Sequence, residues 1–180
     1  MNSILKPVAD ECGTDISASQ FRRAMGKFVT GVTVVTFEHE GKRAGMTANA
    51  FMSLSVDPPM ILVSARSQSR FAKSISTGQA FGVSFLRQDH EGLSRHFGRQ
   101  PCEGLADPFD VIDGVPVIRS ALVQMVVRVN AIHAGGDHVI CVADVERLNE
   151  SDGPPLLFFS GKYKQLFAHD PLQCWNDPHA

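Results

Sequence analysis

Much of this chain alternates apolar and polar residues with a period of two, and those stretches mark its strands. The clearest run places Val123, Met125, Val127, Val129 and Ala131 on one face, against Gln124, Val126, Arg128 and Asn130 on a wetter one. Ala134-Gly135-Gly136-Asp137 then reads as a hairpin turn, with His138–Leu148 as the returning partner. Upstream, Gly31 breaks into the β-branched strand Val32-Thr33-Val34-Val35-Thr36-Phe37. Turn chemistry at Glu38–Lys42 leads into a less regular strand over Arg43–Leu54, so the pair reads as a hairpin. Asp57-Pro58-Pro59 stops it, Met60–Ser64 is a short buried strand, and Phe81–Leu86 and Leu156–Phe159 are two more. Helical spacing is rarer. Phe21, Ala24, Met25 and Phe28 predict a short amphipathic helix capped by Ser17 or Ser19. Ser67 or Ser69 can cap a second over Arg70–Ser76, ended by Gly78, and Asp89–Phe97 is a third. Residues 98–114 read as a long loop closed by Asp113-Gly114. Six or seven short strands with two or three brief helices predict a mainly β fold, an antiparallel barrel. Residues 1–18 are set aside as an N-terminal arm, 19–166 as one domain and 167–180 as a tail.

Composition narrows the function classes. The 180 residues are 43% hydrophobic and 20% charged, enough for a substantial core and too apolar for general disorder. Seventeen Lys and Arg against nineteen Asp and Glu argue against nucleic acid as a partner, since counterion release needs a dense basic surface. The longest apolar runs are too short to span a bilayer. The first residues lack the apolar core of a signal peptide, so a cytoplasmic location is expected. Cys12, Cys102, Cys141 and Cys174 stand far apart without a CxxC pair and read as thiols, not staples. No G-x-G spacing, P-loop, HExxH helix or G-x-S-x-G elbow is present. The histidines show no ligand spacing, so no metal is expected.

Four places carry candidate chemistry. Between Glu40 and Asp89 one acid, Asp57, faces Lys42, Arg43, Arg66, Arg70, Lys73 and Arg87. Within that stretch, Ser64-Ala65-Arg66-Ser67-Gln68-Ser69-Arg70 leaves a strand and enters a helix. Hydroxyls, guanidinium forks and helix-start amides there make a phosphate site or, more plainly, a solvated basic loop with ordinary serine caps. Gly45-Met46-Thr47-Ala48-Asn49-Ala50-Phe51 would let a flat ligand approach the backbone, unless it is only a bulged strand. His138, beside Gly135-Gly136-Asp137, can serve a cleft as donor or proton carrier, or be a hairpin residue. Asp137 could orient it, although adjacent strand residues point to opposite faces. Phe158-Phe159-Ser160-Gly161-Lys162-Tyr163 could pack on a nucleotide, or the two Phe could be core.

Taken in order, Phe28–Thr36, Gly45–Asn49, Asp57-Pro58-Pro59, Gly135–His138 and Phe159–Tyr163 resemble the short-chain flavin reductases, over about residues 20–166. These are reductase components of two-component aromatic monooxygenases, such as phenol, chlorophenol or 4-hydroxyphenylacetate hydroxylases. The resemblance implies a split β-barrel homodimer that takes hydride from NADH (NADPH left open) and passes it to FAD or FMN. Reduced flavin then diffuses to a separate oxygenase. Position by position, it assigns Arg43, Ala44, Gly45, Met46, Thr47, Asn49 and Ala50 to the flavin ring and ribityl chain. Ser64, Ala65, Arg66, Arg70 and Phe71 fall to the flavin phosphate, and His96 and Phe97 to further flavin contacts. Phe158, Phe159, Ser160 and Gly161 fall to the nicotinamide, and His138 to the neighbourhood of hydride transfer. Ala50 stands where many members carry Ser, and Lys162 where Arg is frequent. A flavin- or haem-binding split barrel without turnover is the rival reading. An oxidase of the pyridoxamine-phosphate type is a further one, which Gly-Asp-His fits less well.

Overall fold

The computed structural model describes residues 16–102 and 104–166, so most of the arm and the whole tail, with Cys12 and Cys174, lie outside the described residues. The described residues form three helices and twelve strands. Helix α1 spans Ala18–Met25, with the Ser17 hydroxyl accepting from the Gln20 amide as its N-cap. Strand β1 is Thr30–Gly31, and β2 (Thr33–His39) and β3 (Lys42–Ala48) are the expected hairpin. Its two-residue turn is Glu40-Gly41, both at positive φ, as a tight hairpin demands.

The expected strand Arg43–Leu54 is in fact two. The ladder breaks at Asn49-Ala50, and β4 (Phe51–Val56) continues on a different neighbour, β5 (Pro59–Arg66). Helix α2 (Arg70–Ser74) is capped by Ser69 and ends at Ile75, earlier than Gly78 suggested. Strand β6 (Ala80–Phe85) and a single 3-10 turn at Gln88–His90 precede α3 (Glu91–Phe97). The expected loop over 98–114 is shorter than its composition implied. Its second half is strand β7 (Phe109–Ile112), which turns at Asp113-Gly114 into β8 (Val115–Ile118). Strands β9 (Val123–Gly135) and β10 (His138–Glu150) form a long hairpin. A final small hairpin, β11 (Leu157–Phe159) and β12 (Lys162–Lys164), turns at Ser160-Gly161.

Seven strands make one antiparallel sheet in the order β3-β2-β6-β9-β10-β5-β4. Its outer strands, β3 and β4, are joined in sequence by only Asn49 and Ala50. A two-residue link between opposite edges forces the sheet to curl until its edges nearly meet, an open barrel with a seam at 49–50. Inside lie Val35, Phe37, Ile61, Val63, Phe81, Val83, Met125, Val127, Cys141 and Ala143. Strand β2 is buried on both faces, which accounts for its unbroken β-branched run: Val35 and Phe37 point inward, while Val34 packs outward against Leu86, Ile118 and Leu156. The β7–β8 hairpin lies over the outer side, so the expected wet face of β9 is wet only at Arg128 and Asn130, and Val126 is buried. Burial of Cys141 pushes its thiol up to about 11, so it is an inert core residue.

Candidate functional site

The seam also holds the candidate site. A cleft of about 390 Å³ opens along it, lined by Met46–Ala50 from β3 and the link, Ser64–Arg66 and Ser69 from β5 and beyond, Phe97–Arg99 from the end of α3, and His138. That volume lies in the ordinary range for small-molecule sites, about 300–1,000 Å³. Because β3 pairs with β2 alone, its other edge keeps backbone groups that no strand completes, the feature a heteroaromatic ring can use. The lining contains Arg66 and Arg99 and no carboxylate, so the cleft is positive.

Two distant motifs meet here through sheet register. Strands β5 and β10 pair with His138 opposite Arg66 and Ile140 opposite Ser64. The Ser67 amide donates to the Asp137 carbonyl at 3.0 Å, which ties the Gly-Asp-His turn to the basic loop. His138 Nδ1 lies 2.7 Å from Asp137 Oδ1. The doubt that adjacent residues face opposite ways does not apply, because Asp137 sits in the turn and not in the strand. A carboxylate partner makes Nδ1 the protonated nitrogen and leaves Nε2 for a ligand. The same bond holds the Asp137 carboxyl below its ordinary range, with the nearby His138 and Arg66 charges adding to it.

Helix-start amides contribute less than the sequence suggested. Helix α2 has five residues, and the amides of Ser67, Ser69, Ala72 and Lys73 are already bonded within the protein. The exposed guanidinium groups of Arg66 and Arg70 are left to meet a phosphate, and only Arg66 lines the cleft.

Other assigned residues lie elsewhere. Phe71 is fully buried, wedged edge-on between Phe37 and Phe81 at 5.4 and 5.1 Å between ring centroids, so its side chain plugs the barrel and cannot touch a ligand. Ala44 is core as well. Arg43 leans toward Asp107 at 3.5 Å, away from the cleft lining. Gly45 is small for a different reason than expected: a Cβ there would stand 2.6 Å from the Phe97 ring, so it seats that ring and opens no path for a ligand. His96 accepts from the Cys102 amide at 3.1 Å and stacks edge-on against Phe97.

Phe158 and Gly161 line a second cleft of about 400 Å³ with Glu91, Arg95, Gly98, Gln100, Lys162 and Tyr163. Gly98 borders both clefts, so the end of α3 is the wall between them. Phe159 and Ser160 belong to the same hairpin, and the Ser160 amide holds the Gly26 carbonyl after α1.

Residues 25–166 match the flavin reductase like domain. The chain belongs to this family. An NADH-dependent flavin reductase from Rhodococcus sp is 38% identical, covering 88% of this chain and 92% of its own. The reductase component of 4-hydroxyphenylacetate 3-monooxygenase from Thermus thermophilus is 37% identical over 81% and 95% of the two chains. Among solved structures, flavin reductase PheA2 superposes with a TM-score of 0.79 at 42% identity, covering 84% of this chain and 99% of its own. These relatives are NADH-dependent reductases and monooxygenase reductase components, which favours the enzyme reading over a store or sensor.

In this flavin reductase, Ser69 lines the cleft as part of the Ser64–Arg70 stretch read from the sequence, while Gly98 and Arg99 are residues the sequence reading missed. Arg99 lies beyond the acid-poor stretch between Glu40 and Asp89, but a cation two residues past a helix carrying His96-Phe97 is a readable signal. A larger omission is an apolar groove of about 810 Å³, lined by Phe28, Val29, Phe51, Met52, Leu62 and Phe85 among others. It shares Asn49, Ala50 and Ser64 with the seam cleft. Among the described residues no helix is long and apolar enough to cross a membrane.

Proposed function

We propose that this chain is a cytoplasmic NADH-dependent flavin reductase that binds FAD or FMN in the seam cleft and releases reduced flavin to a separate oxygenase acting on an aromatic substrate. One observation carries the reading: the seam brings an unpaired strand edge, the Arg66 guanidinium and the Asp137–His138 pair to the rim of one positive cleft.

When bound, flavin supplies the electron-accepting ring and NADH the hydride, which is why the chain needs no acid–base dyad of its own. The chain's part is placement. The free edge of β3 and the Asn49-Ala50 link would hold the ring, and Arg66, helped by Arg70, would hold the phosphate through charge-assisted bonds. Phe97 walls one side of the cleft. His138, locked at Nδ1 by Asp137, would meet the nicotinamide through Nε2. Holding both reactants in one cleft would make the transfer effectively unimolecular.

A homodimer completes the proposal. Phe28 is 75% exposed, Met52 51% and Val56 88%, an apolar surface that a lone chain would leave in water. The groove it borders runs into the seam cleft, so a second copy seated there would also close the flavin site. Sedimentation should give a dimer, and Phe28→Asp with Met52→Glu should shift it toward monomer. A wild-type chain that sediments as a monomer at micromolar concentration contradicts this part.

Activity is tested by NADH consumption with and without added FAD or FMN. Flavin-dependent turnover is expected, and little in its absence. Bound flavin that NADH cannot reduce would identify a non-catalytic binding barrel instead.

A further inference from the structure

Helix α3 carries Phe97, Gly98 and Arg99 to the seam cleft and Arg95 to the second cleft, so its position sets the shape of both. It is held from two sides through one residue. Ser94 is fully buried. Its carbonyl accepts from the Thr47 hydroxyl on β3 at 2.7 Å, and its hydroxyl lies 2.8 Å from the Tyr163 hydroxyl on β12. Among the described residues, the hydrogen bonds recorded from α3 to strands β3 and β12 both pass through it. Arg95 covers the Tyr163 ring at 4.9 Å, and Phe158 packs edge-on against that ring at 5.4 Å. Thr47 thus has its donor engaged and offers a ligand only its acceptor lone pairs.

We infer that Ser94 and Tyr163 are positioning residues for flavin binding: the Tyr163–Ser94–Thr47 chain fixes α3 against β3 and so sets Thr47 and Phe97 at the seam cleft. This rests on the seam cleft being the flavin site. Neither residue lines that cleft. Ser94 is closed to any ligand, so a change in flavin affinity on altering it travels through the helix. Removing the Tyr163 hydroxyl leaves the buried Ser94 hydroxyl without its partner, and removing the Ser94 hydroxyl unties half-buried Tyr163 from the helix, a loss large enough to move a short helix.

The test is titration of FMN, followed by quenching of its fluorescence, on wild type, Ser94→Ala, Tyr163→Phe and the pair Ser94→Ala with Tyr163→Phe, the two partners of one bond. Melting temperatures are taken in parallel. Ser94→Ala and Tyr163→Phe should each raise the FMN dissociation constant about three- to tenfold, with kcat at saturating flavin near wild type. The double variant should bind little worse than the poorer single, because both substitutions release the same helix. Tyr163→Phe and Ser94→Ala that melt lower yet bind FMN within about twofold of wild type would overturn the inference, the bond then being structural only. Fully additive losses in the double variant would overturn it too. Wild type that does not bind FMN at all refutes the flavin site itself, a separate outcome.

Discussion

Gly45 offers the sharpest single perturbation, because one methyl group meets one ring. A Cβ built at Gly45 lies 2.6, 2.7 and 3.1 Å from Cδ1, Cε1 and Cγ of Phe97. Ordinary contact begins near 3.4 Å, so the ring must withdraw by about 0.8 Å. Strand β3, though at the sheet edge, is paired with β2 along its whole length and yields less readily, so the ring moves into the cleft or takes α3 with it. Overpacking a tight core costs about 1–3 kcal/mol; Phe97 is only half-buried, which places Gly45→Ala near the lower figure, about 1 kcal/mol. If that cost falls on the bound shape of the cleft, flavin affinity drops by roughly fivefold. FMN titration reads the affinity and thermal melting the stability. Phe97→Leu on the same background removes the colliding ring edge and should restore part of the binding. A folded Gly45→Ala protein that binds FMN as wild type does refutes the argument, as does a loss that Phe97→Leu leaves untouched.

Arg66→Ala should weaken FMN binding by about tenfold or more, the scale of a charge-assisted phosphate contact, and Arg70→Ala by less, since Arg70 stands outside the lining. Riboflavin, which lacks the phosphate, should bind both variants and wild type alike; FMN affinity unchanged in Arg66→Ala would refute the assignment. Phe71→Ala should cost about 3–5 kcal/mol of stability by emptying the barrel plug, while the protein that stays folded binds flavin normally. A selective loss of flavin binding with unchanged melting would show that Phe71 contacts ligand after all. The depressed carboxyl of Asp137 contributes stability above its ordinary value of 3.8, and loses it as pH falls through the lower folded value. Asp137→Asn should therefore lower stability slightly at every pH above that range and flatten the most acidic part of the stability profile. A steeper acid limb in the variant would reverse the sign of the argument.

The fold was legible where one local rule sufficed. Strands β2, β6 and β9 have period-two or β-branched runs, and Gly135-Gly136 marks its hairpin without help from the rest of the chain. The break at Asn49-Ala50 was not legible, because small residues continue through it and only the pairing partners change. Strands β7 and β8 were hidden by the Gly- and Pro-rich residues before them and by Pro116 within β8. In the site, Ser64–Arg66 and His138 were readable as local chemistry, while their meeting depends on β5–β10 register, a long-range property. Phe71 shows the converse case. The family resemblance placed it in the flavin phosphate region beside Arg70, while its rotation on α2 is set by the need to fill the barrel end. Ser94 carried no signal, since a serine inside a helix gains its meaning only from what lies on either side.

The seam cleft as the flavin site is the central claim, and a crystal structure of the protein with FMN and NADH tests it most directly. The flavin ring is expected along Asn49-Ala50 between β3 and β5, its phosphate at Arg66, and nicotinamide within reach of His138 Nε2. Flavin seated instead in the second cleft, against Phe158 and Tyr163, would contradict it.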